Sequence, residues 1–285
     1  VKVAEVTKPG KLILAARPIG NYKDASLRLI EALGSVDLIA AEDTRKLKRL
    51  LNDLEIKSLA KVISFFEENE ISKIDPILKA VTEGQNVLII SDAGTVTISD
   101  PGFKLVQKAI EQNVKIEVLP GASAPIAALT LSGFATDEFT FVGFLPRKKS
   151  LRREKMIEME NSNRTVIFFE SPRRILDTLE ELVEIFEPDR NLVIARELTK
   201  TYEEIARGNL KDLITWAQKG VLGEVTVVVE GRKRKKTLTA DQAKAATFEL
   251  MASGLSHKDA VSQVAATSGL AKRELYQATL DLSHE

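Results

Sequence analysis

The sequence predicts an α/β fold, with two α/β domains in tandem and a small helical domain behind them. Three observations lead there. Short apolar runs rich in Val, Ile and Leu alternate with stretches of helical spacing; the runs end in loops carrying Gly, Pro or acidic residues; and beyond residue 231 the strand pattern gives way to small-residue-rich helices. Strands alternating with helices give a mostly parallel sheet. Lys11 to Ala15 is the first strand, ending in Arg17, Pro18, Ile19, Gly20 and Asn21 before a helix marked by Leu27, Ile30 and Leu33. Val36 to Ala41 is a short strand closing in Glu42, Asp43, Thr44 and Arg45, and Val62 to Phe66 is another, followed by Glu67, Glu68 and Asn69. Val87 to Ile90 is continuously apolar, as in a strand buried on both faces. Its loop, Ser91 to Gly102, carries two Asp, two Gly and a Pro before helical spacing resumes at Phe103, Val106 and Ile110. Lys115 to Leu119 alternates Ile116 and Val118 and opens into Pro120, Gly121, Ala122, Ser123 and Ala124, with a helix after Pro125.

Phe139 to Phe144 leads into Leu145 and Pro146, and a hinge at Asp137 to Arg147 separates domains 1–137 and 138–231. Thr165 to Phe169 opens into Glu170, Ser171, Pro172, Arg173 and Arg174, followed by a helix through Ile175, Leu179, Leu182 and Ile185. Asn191 to Ala195 ends in Arg196, Glu197, Leu198, Thr199 and Lys200; Glu224 to Glu230 alternates Val225, Val227 and Val229 as the last strand. The third domain, 232–285, opens with the basic run Arg232 to Lys236. Thr239 with Gln242 forms a capping box for a helix ending near Ser253 and Gly254. Lys258 to Ala266 and Ala271 to Leu282 are spaced as a helix-turn-helix, with Lys272 and Arg273 opening the second helix; a packing hairpin that touches no nucleic acid fits the same residues.

Composition narrows the chemistry. No apolar stretch approaches the roughly twenty residues of a membrane span, and Val1 to Gly10 lacks signal-peptide order, so a cytoplasmic protein is expected. With no Cys, and with His only at 257 and 284, thiolate, histidine and transition-metal chemistry are not expected. Lys+Arg and Asp+Glu both total 41, so any attraction to a polyanion has to be local. The candidates are Arg147, Lys148, Lys149, Arg152, Arg153 and Lys155; Arg45, Lys46, Lys48 and Arg49; and Arg232 to Lys236. Loops leaving the carboxyl ends of parallel strands line ligand crevices, so a small polar ligand is expected at residues 91–102. The same Asp and Gly also suit plain turns.

The motifs RPIGN (Arg17–Asn21), AAEDTR (Ala40–Arg45), SDAGT and ISDPG (within Ser91–Gly102), PGASA (Pro120–Ala124), GFLPR (Gly143–Arg147), FFESPRR (from Phe168) and ARELTKTYEE (Ala195–Glu204) stand in order. With them the chain resembles, over nearly its whole length, the bacterial small-subunit ribosomal RNA (cytidine-2'-O-)-methyltransferases, a branch of the tetrapyrrole methylase superfamily. The resemblance implies S-adenosylmethionine as cofactor, folded between two α/β domains of the tetrapyrrole methylase type, in a homodimer that methylates 16S ribosomal RNA of the small subunit. It implies cofactor contacts from Pro18, Asp92, Ala93, Gly94, Ser99, Ser123 and Ala124, faced by Leu145, Glu170, Ala195 and Arg196. Three positions depart from the family pattern: Arg17 stands where Thr is usual, Val96 where Pro is usual, and Arg173 where His is frequent.

Methyl transfer to a ribose hydroxyl needs in-line alignment and removal of a weakly acidic proton. Glu197 and Lys200 are expected near the acceptor, with Lys200 lowering the hydroxyl pKa or Glu170 taking the proton; Glu170 also suits an ion pair with Arg173, Arg174 or Arg196. Arg147, Lys148, Arg173 and Arg174 are the expected RNA contacts. Methylation of a tetrapyrrole or other small molecule, and non-catalytic RNA binding through a degenerate cleft, are the competing readings.

Overall fold

The loops that carry these motifs are set by two sheets. The structure, a computed structural model, describes residues 9–232 and 238–280. Most of Val1 to Gly10, most of the basic run Arg232 to Lys236, and residues 281–285 with His284 and the expected helix end at Leu282 lie outside them. The chain forms two units, Val1–Gly231 and Arg232–Glu285.

In the first unit, β1 (Leu12–Ala15), β2 (Leu38–Ala41), β3 (Lys61–Ser64), β4 (Val87–Ile90) and β5 (Ile116–Leu119) make a parallel sheet in the order β3-β2-β4-β1-β5. Helices α1 (Leu27–Ser35), α2 (Thr44–Asp53), α3 (Glu70–Thr82) and α4 (Phe103–Glu111) form the crossovers between successive strands. Alternate strand residues feed two cores. Leu12, Leu38, Val87 and Ile89 meet Phe65, Ile77, Leu78 and Leu105, whereas Ile13, Ile39, Leu88 and Ile90 meet Leu29, Leu33, Leu47 and Leu50. Each such side chain contributes about 1.5–3 kcal/mol on burial, which is why β4 is apolar throughout.

The inward faces of two helices differ from expectation. Leu27, Phe103 and Ile110 are exposed; Leu33 is buried as expected, and Leu29, Leu105 and Ala109 are buried with it. Each helix has only nine residues and apolar side chains on more than one stripe, so the sheet beneath selects the stripe. Val118 is likewise exposed on the edge strand β5, where Leu119 is the buried residue.

Helix α5 (Ala124–Ser132) leads to a second sheet of β6 (Phe139–Phe144), β7 (Thr165–Glu170), β8 (Asn191–Arg196), β9 (Glu204–Asn209) and β10 (Val225–Val229). Its order is β6-β7-β10-β8-β9, and only β6 and β7 are parallel. The mostly parallel arrangement therefore holds for the first sheet and not the second: the link from β8 to β9 is too short for a helical crossover, which forces an antiparallel return. The edge strand β9 escaped the sequence reading because its residues EIARGN have little apolar character. Central β10 is buried at every residue rather than alternately. On one face α6 (Lys149–Glu160), α7 (Ile175–Val183) and α8 (Leu210–Ala217) bring Met156, Leu179, Leu182 and Leu213 onto Phe168, Ile194 and Val227. On the other, Ala128 and Leu129 of α5, with Ile19, cover Ile167, Val193, Ala195 and Val228.

The second unit holds α9 (Ala240–Ala252), α10 (His257–Ser268) and α11 (Lys272–Leu280) around Ala243, Val261, Val264 and Leu275. The capping box of Thr239 and Gln242 is present, and Gly269, left-handed at φ 69°, turns α10 into α11.

Glu70 ties α3 to α4. Gly102, the residue before α4, has no side chain to cap the helix, and Glu70 Oε1 instead accepts the Gly102 and Lys104 N–H groups at 3.0 and 3.2 Å. Glu70→Ala is expected to leave both donors unmet and lower stability by about 1–2 kcal/mol, read as a lower urea midpoint at unchanged slope.

Candidate active site

Loops leaving the carboxyl ends of β1, β4 and β5 converge. Arg17 and Gly94 exchange backbone hydrogen bonds at 2.7 and 3.0 Å, and Thr95 Oγ1 donates to the Ala122 carbonyl at 3.2 Å. With the ends of β6 and β7 and the start of β10, these loops line a cavity of about 350 Å³. Ile19, Ile98, Phe144 and Phe169 make its apolar walls; Asp92, Ser99, Asp100, Ser123 and Glu224 supply polar groups. Thr97 and Ser99 adopt left-handed φ values of 75° and 64°, a conformation that costs a non-glycine residue about 1–3 kcal/mol and that the surrounding contacts must hold. Gly143, at φ 68°, ends β6 so close to this loop that a Cβ there would sit 3.3 Å from Ser99 Oγ.

The cavity is rich in acid. Asp92 accepts the Asp43 N–H at 3.0 Å and the Lys46 ammonium at 2.7 Å, while its own N–H donates to Glu42 at 3.0 Å. Burial, reinforced by the charge of Glu42, pushes Asp100 up to about 7 despite a hydrogen bond from Ser91. Burial also raises Glu42. These carboxylates favour a cationic ligand.

A second group of charges sits at the rim. Glu197 Oε1 accepts Lys200 Nζ at 2.7 Å and the Glu224 N–H at 2.8 Å, and Lys200 also bonds Glu224 at 2.9 Å. Burial works against the Lys200 charge, but these carboxylates outweigh it and hold the ammonium above its usual pKa. Burial likewise opposes the Glu197 charge, and the bonds from Lys200 and the Glu224 N–H overcome it, so its pKa falls. Both groups are ionised at neutral pH. The loop is fixed from the first sheet: the Asn21 N–H donates to Thr199 Oγ1 at 3.0 Å, and a Cβ on Gly20 would lie 2.4 Å from the Lys200 side chain.

The tetrapyrrole (corrin/porphyrin) methylase family profile matches residues 11–214, and that of the RsmI C-terminal HTH domain matches 238–283. Ribosomal RNA small subunit methyltransferase I of Mycobacterium bovis is 44% identical over 277 residues, covering 97% of this chain and 96% of that protein. The protein of the same name from Haemophilus influenzae is 40% identical over 274 residues, covering 94% and 95%. The chain belongs to the ribosomal RNA small subunit methyltransferase I family of tetrapyrrole methylases. Its fold is shared by a cobalt precorrin-4 methyltransferase, at a TM-score of 0.59 and 17% identity over 81% of this chain and 98% of that one. A uroporphyrin-III C-methyltransferase from Thermus thermophilus, solved with S-adenyl homocysteine, matches at 0.56 and 14% identity over 77% and 96%.

In this member of the family Asp92, Ala93, Gly94, Ser99, Ser123 and Ala124 line the cavity as expected positions. Pro18, Leu145, Ala195 and Arg196 do not; Ile19 and Phe144, neighbours of the first two, line it instead. Leu145 and Ala195 point into the two cores of the second sheet, and Arg196 is spent on Glu204 at 2.9 Å and the Leu222 carbonyl at 3.1 Å. Glu170 is at the cavity, but its buried carboxylate accepts the Ser171 N–H at 2.8 Å, Thr178 Oγ1 at 2.9 Å and, at 3.5 Å, Arg174. The ion pair with Arg174 is thus present, and three donors engage the carboxylate. Arg174 in turn reaches the Leu145 and Pro146 carbonyls at 3.4 and 3.5 Å and is partly buried, whereas Arg147, Lys148 and Arg173 are exposed. Of the departures, Arg17 turns its guanidinium to the Lys46 carbonyl at 3.0 Å and Val96 is buried in the first-sheet core, so neither obstructs the cavity.

Asp100, Gly223 and Glu224 were not singled out from the sequence. Asp100 stands within a quoted motif, so it could have been found; Gly223 and Glu224 precede β10, and only its antiparallel direction brings a strand's amino end to the cleft.

The Asp100 carboxyl rises from 3.8 to about 7 on folding, so its contribution to stability is complete below 3.8 and is lost as pH rises through 7. Asp100→Asn is therefore expected to melt above the wild type at about pH 8, with the gain fading to nothing near pH 4, in thermal scans of the ligand-free protein.

Proposed function

We propose that the protein transfers a methyl group from S-adenosylmethionine to the 2'-oxygen of a cytidine ribose in 16S ribosomal RNA of the small subunit. The observation that carries this reading is an acid-lined cavity adjoining a hydrogen-bonded Glu197–Lys200–Glu224 cluster in a chain of this family. The residues fit the cofactor: Asp92 and Asp100 in the lining, with Glu42 beside them, supply negative charge for a cation, Gly94 leaves the backbone approachable, and Ile19 and Ile98 offer apolar surface. Bound there, S-adenosylmethionine supplies an electrophilic methyl on a positively charged sulfur. Ala93, Ser99, Ser123 and Ala124 complete its contacts, while Pro18, Leu145 and Ala195 support these loops from the core.

Lys200 is the fixed positive charge that favours the acceptor oxygen as its proton leaves. Glu197 holds that ammonium in place, and Glu224, whose side chain is 69% exposed and bonded to Lys200, is the group we assign to take the proton. Glu170 is a positioning residue: through Arg174 it holds the turn that presents Arg147 and Lys148 to phosphates, with Arg173 beside it. The reading includes a cytoplasmic homodimer; among the described residues no helix is long and apolar enough to cross a membrane.

Incubation with methyl-labelled S-adenosylmethionine and, in parallel, small ribosomal subunits, free ribosomal RNA and tetrapyrroles from cells lacking the gene tests it. Label on a ribose 2'-oxygen of subunit RNA is expected; label on a tetrapyrrole makes the protein a small-molecule methylase, and absence of cofactor binding makes it a non-catalytic RNA binder. Lys200→Ala is expected to lower kcat by about 10²-fold or more with cofactor affinity unchanged, and full turnover in that variant refutes the role of the ammonium.

A further inference from the structure

We propose that Phe144 is the platform on which the target base of the RNA stacks once it has left its own stack, a role resting on the RNA-methylation reading above. The first observation is a break in an otherwise regular strand. The pairing of β6 with β7 shifts register between Phe141 and Phe144, and Gly143 takes φ 68° within the irregularity. Such bulges re-aim a side chain, and they recur beside active sites. Here the break places the Phe144 ring on the cavity wall, while the next residue, Leu145, points into the core.

The second observation is what the ring touches. Phe144 meets Phe169 with centroids 5.4 Å apart, and Phe169 is braced in turn by Phe141 at 5.0 Å. The ring is thus steadied from the sheet side, yet Phe144 remains 58% exposed. An aromatic that is held in place and left open at a cavity mouth offers a flat apolar surface to an incoming ring.

The third observation selects the ring that arrives. The chain running on from Phe144 is a basic turn whose carbonyls are tied down: Leu145 accepts from Arg174 at 3.4 Å, and Pro146 and Arg147 accept from Arg152 at 3.4 and 3.1 Å. Arg152 and Arg174 are neutralised by Glu181 and Glu170. These bonds brace the turn, and the Arg147 and Lys148 side chains stand exposed on it. An open aromatic beside cations on a fixed turn matches a nucleotide, with base on the ring and phosphates on the cations. A nucleotide whose ribose must enter a cleft leaves its neighbours and loses their stacking, and Phe144 replaces that contact without reading the base. The cofactor's adenine shares this chemistry, but the exposed Arg147 and Lys148 that follow Phe144 in the chain favour a nucleotide carrying phosphates.

The test uses the full-length chain carrying Phe144→Ala or Phe144→Trp. It measures kcat and KM on small subunits from cells lacking the gene, cofactor affinity by calorimetry, and mass by sedimentation. For Phe144→Ala the KM for subunits is expected to rise about tenfold at similar kcat, with cofactor affinity and mass unchanged, and Phe144→Trp is expected to restore it. An unchanged KM overturns the proposal. So does weakened cofactor affinity with KM intact, which makes Phe144 a wall of the adenine slot, or a changed mass, which makes it a contact between copies. If wild-type protein methylates no subunit RNA, the parent reading falls and this one with it; if it does and Phe144→Ala matches it, this one alone falls.

Discussion

The apolar layer between α5 and the second sheet is the constraint on which the site depends. Ala128 and Leu129 lie with Ile19 against Ile167, Val193, Ala195 and Val228, so one helix issuing from the first sheet's ligand loop is seated on the inner face of the second. Small side chains at 128 and 195 let helix and sheet approach closely. Each large apolar side chain buried there contributes about 1.5–3 kcal/mol, against about 0–1 kcal/mol for an exposed ion pair such as Arg153 with Glu184. The layer, not the ion pairs, therefore sets how the two sheets meet. Because α5 starts at Ala124, directly from the cavity wall, fixing the helix also fixes Ser123 and Ala124. The approaches of Gly20 to Lys200 and of Gly143 to Ser99 then refine a geometry this layer has already imposed.

Within that frame the cavity carries an electrostatic cost that makes sense only with a ligand. Glu42, Asp92 and Asp100 share a partly buried space in which Lys46 is committed to Asp92. The protein meets this in part by raising the Asp100 pKa to about 7, so that a substantial fraction of the carboxyl is neutral near neutral pH. A cation arriving beside it reverses the balance, favouring the carboxylate and releasing a proton, so that ligand affinity is gained where stability was given up. The rim behaves differently. There Lys200 and its two glutamates satisfy one another, and the strained φ of 51° at Glu197 and 64° at Thr199 is held by bonds to Lys200, Glu203 and Asn21.

The legible parts of the chain were those where one local rule decides. β4 could be read because a strand buried on both faces has to be apolar throughout, and the capping box at Thr239 because its two hydrogen bonds join residues three apart. The loops after β1, β4 and β5 could be read because parallel strands present their carboxyl ends together. What escaped depends on partners distant in sequence. The buried stripe of α4 is chosen by the sheet beneath it, and the presence of β9 by an edge position that demands little apolar character. Glu224 reaches the cleft only because β10 runs against its neighbours. Phe144 replaces Leu145 at the cavity because a one-residue irregularity shifts the alternation, and no pattern of residue types announces it.

The equality of acidic and basic residues conceals how the cations are divided. In the cluster at α2, Arg45 is bonded to Asp43, Lys46 to Asp92 and Arg49 to Asp53, so three of its four cations are paired, two with acids near in sequence and one with an acid the fold brings in. In the cluster after β6, Arg152 and Arg174 pair with Glu181 and Glu170 and brace the turn through its carbonyls, while Arg147 and Lys148 on that turn are exposed. A flexible cation loses conformational entropy when it meets a phosphate, and one carried on a braced turn has lost part of that freedom already. Two or three exposed cations so placed beside an open aromatic ring are worth more to a polynucleotide than a larger net charge spread over the surface, because steering falls off within a Debye length while positioning does not.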